Sequence, residues 1–298
     1  YQVLKTSLEA NCHYMDICDD WEPTEKMLEL NDIAKEKNLL ALLGLGASPG
    51  ITNLLGRIAI DHLDIAHTIY TGWNLEEAQP EPISSQKETN AAMIHGIEQI
   101  TGKVKVLKDG KFEMVNPLEE IKVSYPNIGT YSAFIFGHPE AITFPYHFKD
   151  LLNSINLAHG NKSTIFVLKI IRKLINLKIL TKKTAARFLE WLEKKGTSRK
   201  YTESTSLPEI YALAIGFKNG KEECVGVSLD GEPSRELTMG EATGYPLSLG
   251  FKMFLNNEIT ERGVIAPESK CIDHKKLLME IYELFGMKDT KIKVNKSW

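Results

Sequence analysis

The stretch Leu39 to Ala59, LLALLGLGASPGITNLLGRIA, decides how the rest of the chain is interpreted. Its first residues, 39–43, form an unbroken apolar run, which predicts a strand buried on both faces. The run leads into three glycines that allow a tight turn and a close approach to a ligand: Gly44, Gly46 and Gly50. Ser48 is placed to cap a following helix, with Pro49 at its first position. The pattern predicts a helix whose N-terminal N–H groups are free to bind a phosphate, a carboxylate or an amide carbonyl.

The spacing of these glycines differs from the dinucleotide-binding fingerprint. Gly44-x-Gly46-x-x-x-Gly50 is one residue longer than the fingerprint, and a proline stands inside the turn. The strand predicted next, over residues 66–71, has no acidic residue at its far end to hold a ribose hydroxyl. We therefore interpret the stretch as a later strand-to-helix turn of such a sheet, with the pyrophosphate loop as the alternative.

The residues before this stretch predict a βαβ unit. Residues 12–18 are apolar and compatible with a strand, and a helix opens at Pro23 and runs to Lys37. The apolar side of that helix consists of Met27, Leu30, Ile33 and Ala34. Strand, helix and strand in so short a segment indicate two parallel strands with a right-handed connection. Residues 16–20 and 46–50 then lie at the carboxyl ends of neighbouring strands, where open α/β sheets bind ligands.

After residue 64 the pattern changes, because antiparallel pairs replace the parallel unit. Two hairpins are predicted, over 104–115 through Asp109-Gly110 and over 210–229 through Asn219-Gly220. The other expected elements are strands at 65–73, 131–136 and 141–146, helices at 90–100, 163–177, 181–195, 243–256 and 274–285, and a turn at 263–267. The predicted fold class is α/β, with a parallel segment followed by a mixed α+β lobe.

The composition favours a folded protein, and the charge balance indicates no strong electrostatic field. Of the 298 residues, 43% are hydrophobic and 8% aromatic, enough for a sizeable core in two lobes. The net charge of −3 predicts no nucleic-acid partner. Four cysteines without a C-x-x-C pair, and no visible signal peptide or transmembrane segment, predict a cytoplasmic protein. Because the chain starts at Tyr1 in a helical pattern, we expect it to be the later part of a longer protein.

Potential metal ligands are densest around the first predicted strand. They are Cys12, His13, Asp16, Cys18, Asp19 and Asp20. Successive residues of a strand face opposite sides, so these ligands do not converge as zinc ligands would. We therefore predict no metal here, and we interpret Asp16 either as an ordinary polar residue or as one side of a ligand crevice.

Two further pairs of residues are candidates for chemistry. His138 and Glu140 lie on a short connection stiffened by Pro139, where a histidine can exchange protons and a carboxylate can hold an ammonium group. A turn with solvated polar residues is the alternative. Thr243 and Gly244 open a predicted helix, where Thr243 either caps the helix or holds a substrate carboxylate.

The predicted helix pair 163–195 is strongly basic. Residues 162–200 contain 12 Lys or Arg residues and only two acidic ones, Glu190 and Glu193. The apolar face of the pair is expected to consist of Ile165, Leu168, Ile171, Ile175, Phe188, Trp191 and Leu192. We favour a docked pair with a solvated lysine face. Peripheral contact with an anionic membrane and a lid over an active site are the alternatives.

Five motifs, in this order, resemble those of one known family. They are Tyr14-x-Asp16, GLGASPGITN at 44–53, GHPEAITFP at 137–145, TGYPLSLG at 243–250 and GVIAPE at 263–268. The combination resembles the saccharopine dehydrogenase-like family, which includes saccharopine reductases, lysine 6-dehydrogenases and carboxyspermidine dehydrogenases. In that family a Rossmann domain binds NAD(P), and a second α+β domain supplies the amino-acid site and often the dimer contact.

The resemblance implies a division of the chain into two parts. Residues 1–60 would be the second half of the Rossmann domain, with the GxGxxG motif upstream, and residues 61–298 the substrate and dimerisation domain. The isolated chain is then expected to be inactive. Saccharopine reductases have Asp-Pro-Gly where this chain has Ser48-Pro49-Gly50, and a histidine where it has Asn53. The small-residue version resembles the lysine 6-dehydrogenase type more closely.

These observations lead to one functional hypothesis and one alternative. The resemblance implies an NAD- or NADP-dependent oxidoreductase that acts on a C–N bond of an amino acid or opine-like secondary amine, as a homodimer. The predicted residues are Asp16, Ser48, Pro49, Gly50 and Asn53 for the cofactor, His138 and Glu140 for catalysis, and Thr243 and Gly244 for the substrate. The alternative is a non-catalytic, ligand-sensing or oligomerising scaffold of the same fold.

Overall fold

The chain begins with a small parallel sheet that confirms the predicted βαβ unit. The structure is a computed structural model that describes residues 1–76, 91–195, 206–230, 237–287 and 291–298. Helix α1 (Gln2–Glu9) precedes strand β1 (Tyr14–Met15), which pairs in parallel with β2 (Leu40–Leu42). Helices α2 (Trp21–Leu28) and α3 (Asn31–Glu36) connect the two strands. The carboxyl ends of β1 and β2 therefore lie side by side.

Strand β2 is buried on both faces, as its unbroken apolar run predicted. Ala41 packs into a cluster with α1, α2 and α3, whereas Leu40 and Leu42 pack into the main core of the protein. All three side chains are fully buried. This alternation is the burial expected of a strand covered by helices on both sides.

The first predicted strand and helix are shorter in the structure than in the prediction. The strand over 12–18 is reduced to two residues, and the single predicted helix is divided at residues 29–30. Asn31 accepts a hydrogen bond from the backbone N–H of Val264, at 3.1 Å. That contact holds the start of α3 against a later strand. Ile33 is 44% exposed, so its placement on the apolar face was wrong.

The second sheet is larger and mixed. Its strands are β3 (Ile65–Asn74), β4 (Val104–Lys108), β5 (Lys111–Val115), β6 (Glu120–Tyr125), β7 (Gly129–Ile135), β8 (Asn153–His159), β9 (Ile210–Lys218), β10 (Lys221–Asp230) and β12 (Lys291–Lys296). The order is β12-β10-β9-β3-β8-β4-β5, and the hairpin of β6 and β7 pairs with β8 through β7. The only parallel pair among these described strands is β3 with β8. Both predicted hairpins, β4–β5 and β9–β10, are confirmed.

Seven helices complete the described part of the chain. They are α4 (Ile51–Ile60), α5 (Ala91–Gln99), α6 (Glu140–His147), α7 (Lys162–Asn176), α8 (Lys182–Lys195), α9 (Met239–Leu255) and α10 (His274–Leu284). The predicted helix 90–100 is α5, and its first predicted residue lies outside the described residues. The strand predicted over 141–146 was wrong, because these residues belong to α6. Strands β6, β8 and β12 were not predicted.

Helix α4 joins the two sheets and is the centre of the core. Nine of its ten residues are buried, and Arg57 is the exception. Gly56 allows the close approach of Phe144, since a Cβ atom there would lie 2.3 Å from the Phe144 ring. One apolar cluster includes side chains of β2, α4, β3, β9 and α10. The two sheets therefore share a continuous core.

The chain returns to the first sheet near its end. Residues 263–265, predicted as part of a turn, form strand β11 (Gly263–Ile265), which pairs in parallel with β2. The first sheet therefore has the order β1-β2-β11. The predicted boundary at residue 60 stays a prediction, and β11 lies in the first sheet although it belongs to the second predicted segment.

Candidate functional site

The turn between β2 and α4 depends on glycine. Gly50 has φ +126°, and a Cβ atom built on it would lie 1.9 Å from the carbonyl oxygen of Gly46. The bond between Ser48 and Pro49 is cis. Helix α4 starts at Ile51 with Gly50 as its N-cap, so the prediction of Ser48 as cap and Pro49 as first helical residue was wrong. The Ser48 hydroxyl is free to bind elsewhere.

The N–H groups at the start of α4 are not open to a ligand, contrary to the expectation from sequence. The N–H of Ile51 donates to the carbonyl of Gly46 (3.0 Å), and that of Thr52 donates to Ala47 (3.2 Å). The N–H of Gly50 donates to the side-chain oxygen of Asn53 at 2.8 Å. Since the turn satisfies these donors itself, this helix end is not a ready anion site.

Asp16 joins the ends of the two parallel strands. Its Oδ1 accepts hydrogen bonds from the N–H of Gly44 (2.7 Å) and of Cys18 (3.1 Å). Its carbonyl oxygen accepts from the N–H of Leu45 at 2.9 Å. Burial raises the pKa of Asp16, although these two N–H donors oppose the shift. The expected meeting of the strand ends is confirmed, and Asp16 is the residue that ties them together.

Glu140, in the first turn of α6, is the centre of a buried polar cluster. Its Oε1 accepts three hydrogen bonds: from Ser48 Oγ (2.7 Å), Thr52 Oγ1 (2.8 Å) and Asn156 Nδ2 (3.0 Å). The residue is 1% exposed. Its Oε2 is buried and has no hydrogen-bond partner among the described residues. The first oxygen is therefore saturated, whereas the second remains available as an acceptor.

His138 lies beside this carboxylate. Its Nδ1 is 3.2 Å from Ser48 Oγ and 4.0 Å from Glu140 Oε2. The imidazole ring stacks on Trp73, with centroids 5.5 Å apart, and meets Phe136 edge to face. Because the Ser48 proton is used toward Glu140, a proton on His138 Nδ1 would complete the hydrogen bond to Ser48. That tautomer leaves Nε2 as the nitrogen that can take up a proton.

Asn156, on strand β8, links the second sheet to this cluster. Its Nδ2 donates to Thr71 Oγ1 (3.0 Å) and lies 3.3 Å from Ser48 Oγ. Its Oδ1 accepts from the indole N–H of Trp73 at 3.3 Å. The Ser48 turn of the first sheet and the strands of the second therefore meet at one set of polar side chains.

A second buried carboxylate contacts the first turn of α4. Glu268 Oε2 accepts from Asn53 Nδ2 at 2.8 Å, and Asn53 in turn accepts from the N–H of Gly50. Burial raises the pKa of Glu268 to about 7, and the negative charge of Glu140 adds to the shift. The Asn53 side chain therefore links Gly50 of the turn to Glu268. The predicted contact of Asn53 with the cofactor stays a prediction.

A second group of acidic side chains, more exposed to solvent, lies near His138. His95 Nε2 donates to Asp19 Oδ1 at 2.8 Å and lies 3.7 Å from Asp20 Oδ1. Gln99 Nε2 donates to Asp19 Oδ2 at 3.2 Å. The hydrogen bond to Asp19 raises the pKa of His95. Against the effect of burial, the hydrogen bond from His95 and the charge of His138 lower the pKa of Asp19, whereas burial raises the pKa of Asp20.

The same three side chains meet the geometric requirement for a metal site. The ligand atoms of Asp19, Asp20 and His95 lie within 4.8 Å of one another. The hydrogen bond between His95 and Asp19 already uses the nitrogen that would bind a metal. In this arrangement the three residues form an ion-pair group.

Thr243 and Gly244 lie inside α9 rather than at its start. The N-cap is Thr238, whose hydroxyl accepts from the N–H of Glu241 in a capping box. The Thr243 hydroxyl donates to the carbonyl of Met239 at 2.8 Å. The expected capping role of Thr243 was therefore wrong, and substrate binding by Thr243 and Gly244 stays a prediction.

Several members of the site were not predicted from the sequence. Thr52 and Glu268 are in two of the quoted motifs but were not assigned a role. Asn156 stands between Ile155 and Leu157 in a buried strand, and a polar residue at such a position is a signal that could have identified it. His95 and Gln99 are spaced i, i+4 on α5 and share one helix face, but their partner Asp19 is 76 residues away from His95.

The two sheets and the polar site where they meet define an α/β protein with its candidate site at the carboxyl ends of parallel strands. The fold is similar to that of saccharopine dehydrogenase (L-Glu forming) from Saccharomyces cerevisiae. The TM-score is 0.58 at 13% identity, over 99% of this chain and 81% of that one. It is also similar to the homospermidine synthase of Legionella pneumophila, solved in complex with NAD. There the TM-score is 0.54 at 12% identity, over 100% and 73% of the chains.

A curated relative is similar to part of the sequence. The chain is 26% identical over 146 residues to the carboxyaminopropylagmatine dehydrogenase of Synechocystis sp. (strain ATCC 27184 / PCC 6803 / Kazusa). The alignment covers 46% of this chain and about a third of that relative, 36%. No protein-family model matches the chain. The chain thus has a saccharopine dehydrogenase-like fold, and the relatives support the resemblance to that family found in the motifs.

Proposed function

We propose that the protein is an NAD(P)-dependent oxidoreductase that acts on a C–N bond of an amino acid or opine-like secondary amine. The observation that supports this most directly is the contact of Ser48 with both Glu140 (2.7 Å) and His138 (3.2 Å). It brings the turn at the strand ends together with a carboxylate and a proton-exchanging histidine from the other lobe. The names of two relatives, a saccharopine and a carboxyaminopropylagmatine dehydrogenase, support the same class.

The cofactor would lie along the carboxyl ends of β1 and β2. When bound, NAD(P)⁺ supplies the hydride acceptor. The N–H groups of Gly50, Ile51 and Thr52 already donate hydrogen bonds within the turn, so they do not fit a pyrophosphate. They fit a turn that borders the nicotinamide end of the cofactor. The unpartnered buried Oε2 of Glu140 fits a donor such as a carboxamide or an amine. NAD and NADP are both compatible with these residues.

The substrate amine would be held between Glu140 and His138. As hydride leaves the amine-bearing carbon, the nitrogen loses one proton, and His138 Nε2 is the group placed to accept it. Glu140 Oε2 would orient the nitrogen. Ser48 contacts both the carboxylate and the imidazole and would fix their relative positions. The products are an imine, which water hydrolyses, and the reduced cofactor. By the same resemblance we propose a homodimer, and from the cysteine usage we propose a cytoplasmic location.

The test is hydride transfer by the protein in its full natural length. Absorbance of reduced nicotinamide at 340 nm is followed with amino acids, opines and polyamine-derived secondary amines in the presence of NAD⁺ or NADP⁺. We expect turnover of at least one amine and loss of that turnover in His138→Gln. Binding of NAD(P)H without turnover of any amine or imine would favour the scaffold alternative. Absence of nucleotide binding would contradict the proposal outright.

A further inference from the structure

Helix α7 exposes a stripe of large apolar side chains that nothing in the proposed reaction uses. Phe166, Ile170 and Leu177 lie at i, i+4 and i+11, which places them on one helical face. Phe166 is 65% exposed and Leu177 is 58% exposed. Ile179, in the turn after the helix, is 69% exposed. The buried face of α7 is a different one, with Ile165 and Ile171 in the core.

Basic side chains flank this stripe. Lys162, Lys169, Lys173 and Lys178 are all exposed, and no acidic residue occurs between 162 and 189. By helical geometry, Lys162, Lys169 and Lys173 lie along one border of the apolar stripe. An exposed apolar stripe bordered by lysines is the pattern of a helix that lies in the interface of an anionic bilayer.

A groove beside the helix adds a place for an anionic group. It has a volume of about 440 Å³ and lies between α7 and the turn at residues 116–119. Lys169, Arg172 and Lys173 line it, against one carboxylate, that of Glu119. Arg172 is held there by a hydrogen bond to Asn116 at 3.0 Å. Three cations in a groove that adjoins exposed Leu177 match a lipid phosphate whose acyl chains lie beside it.

We propose that the α7 face, defined as Phe166, Ile170, Leu177 and Ile179 with the flanking lysines, binds the surface of an anionic membrane. The helix would lie parallel to the bilayer, with its apolar side chains at the headgroup boundary and its lysines at the phosphates. A second copy of the chain fits this face less well, because a two-fold contact would bring the same lysines together. No helix in the described part of the chain is long and apolar enough to cross a bilayer.

The test is co-sedimentation of the protein with vesicles of phosphatidylcholine alone or with about a quarter phosphatidylserine. We expect binding only to the anionic vesicles, and its loss at roughly 0.5 M NaCl. Phe166→Ala/Ile170→Ala should weaken the partition coefficient by roughly tenfold or more. Lys173→Glu/Lys178→Glu should abolish binding without removing any apolar group.

A matched control is available on α9. Phe251 and Leu255 are also an exposed i, i+4 apolar pair, so Phe251→Ala/Leu255→Ala should leave vesicle binding unchanged. Far-ultraviolet circular dichroism checks that each variant is folded. Absence of wild-type binding to anionic vesicles, or equal binding of the α7 and α9 variants, would overturn the proposal. So would a dimer in the absence of lipid that Phe166→Ala/Ile170→Ala dissociates, since a second copy would then cover the face.

Discussion

Two acidic groups lie near His138, and they differ in how much water reaches them. Around Glu140 the partners Thr52 and Asn156 are buried and Ser48 is partly buried, and one carboxylate oxygen accepts three hydrogen bonds. Around Asp19 and Asp20 the side chains are 38% and 49% exposed, and water can replace a lost partner. The same residue types therefore have different consequences: in the buried cluster each partner fixes the geometry, whereas the open group mainly contributes charge.

Removing a donor from the buried cluster should have the largest effect on stability. Asn156→Leu takes one of three donors from Glu140 and leaves Thr71 and Trp73 without their partner. We expect a loss of about 3 kcal/mol in the free energy of unfolding, measured by urea denaturation. Gln99→Leu, which removes a donor from Asp19 in the open group, is the matched control and should cost less than about 1 kcal/mol. Equal losses would erase the distinction between the two groups.

Glu268 should make stability fall as pH rises. Its pKa of about 7 lies above the unfolded value of 4.5, so the native state binds the extra proton between these values. The contribution is complete below about pH 4.5 and is lost as pH rises through 7. Relative to wild type, Glu268→Gln should therefore gain on the order of 2 kcal/mol between pH 4.5 and pH 8. Parallel pH profiles of wild type and variant in urea denaturation would contradict this.

The open group should respond weakly and in a different pH range. Asp19 raises the pKa of His95 above 6.5, so their pairing is fully present below pH 6.5 and is lost as pH rises through the folded-state pKa. His95→Gln should cost less than about 1 kcal/mol near pH 6 and nothing near pH 9. A cost that is the same at both pH values would mean that His95 acts through packing rather than charge.

The open group around Asp19 should affect KM rather than kcat. This prediction rests on the proposed function. Asp19→Asn removes a charge from the edge of the site without touching Ser48 or Glu140. We expect KM for a cationic amine to rise by roughly three- to tenfold with little change in kcat. A loss confined to kcat would place Asp19 in the chemical step instead.

The local fold could be predicted where one segment contains the whole signal. The apolar run at 39–43 and the glycines after it predicted β2 and the turn, and the meeting of the two strand ends followed from βαβ geometry. The sequence signals for the two hairpins, their Asp-Gly and Asn-Gly turns, were also contained in one segment. Residues 141–146 were assigned wrongly because Ile142, Thr143 and Phe144 favour strands in isolation, whereas the packing of Phe144 against Gly56 favours the helix.

The site could be predicted only in part, since its contacts join distant segments. His138, Glu140 and Ser48 were selected individually, but the hydrogen bond between Ser48 and Glu140 spans 92 residues. The roles of Asn156 and Glu268 depend on the sheet order and on the return of β11, which no local pattern encodes. For the same reason the hydrogen bonds of the Asn53 side chain with Glu268 and Gly50 could not be predicted from the sequence.

The most direct test of the buried cluster as a reaction centre compares Glu140→Gln with Glu268→Gln. Both substitutions replace a buried carboxylate by its isosteric amide, but only Glu140 contacts Ser48 and lies beside His138. Once an amine substrate has been identified, we expect kcat/KM of Glu140→Gln to fall by roughly a hundredfold or more, and that of Glu268→Gln to fall by less than about tenfold. Full activity of folded Glu140→Gln would contradict the assignment of this site.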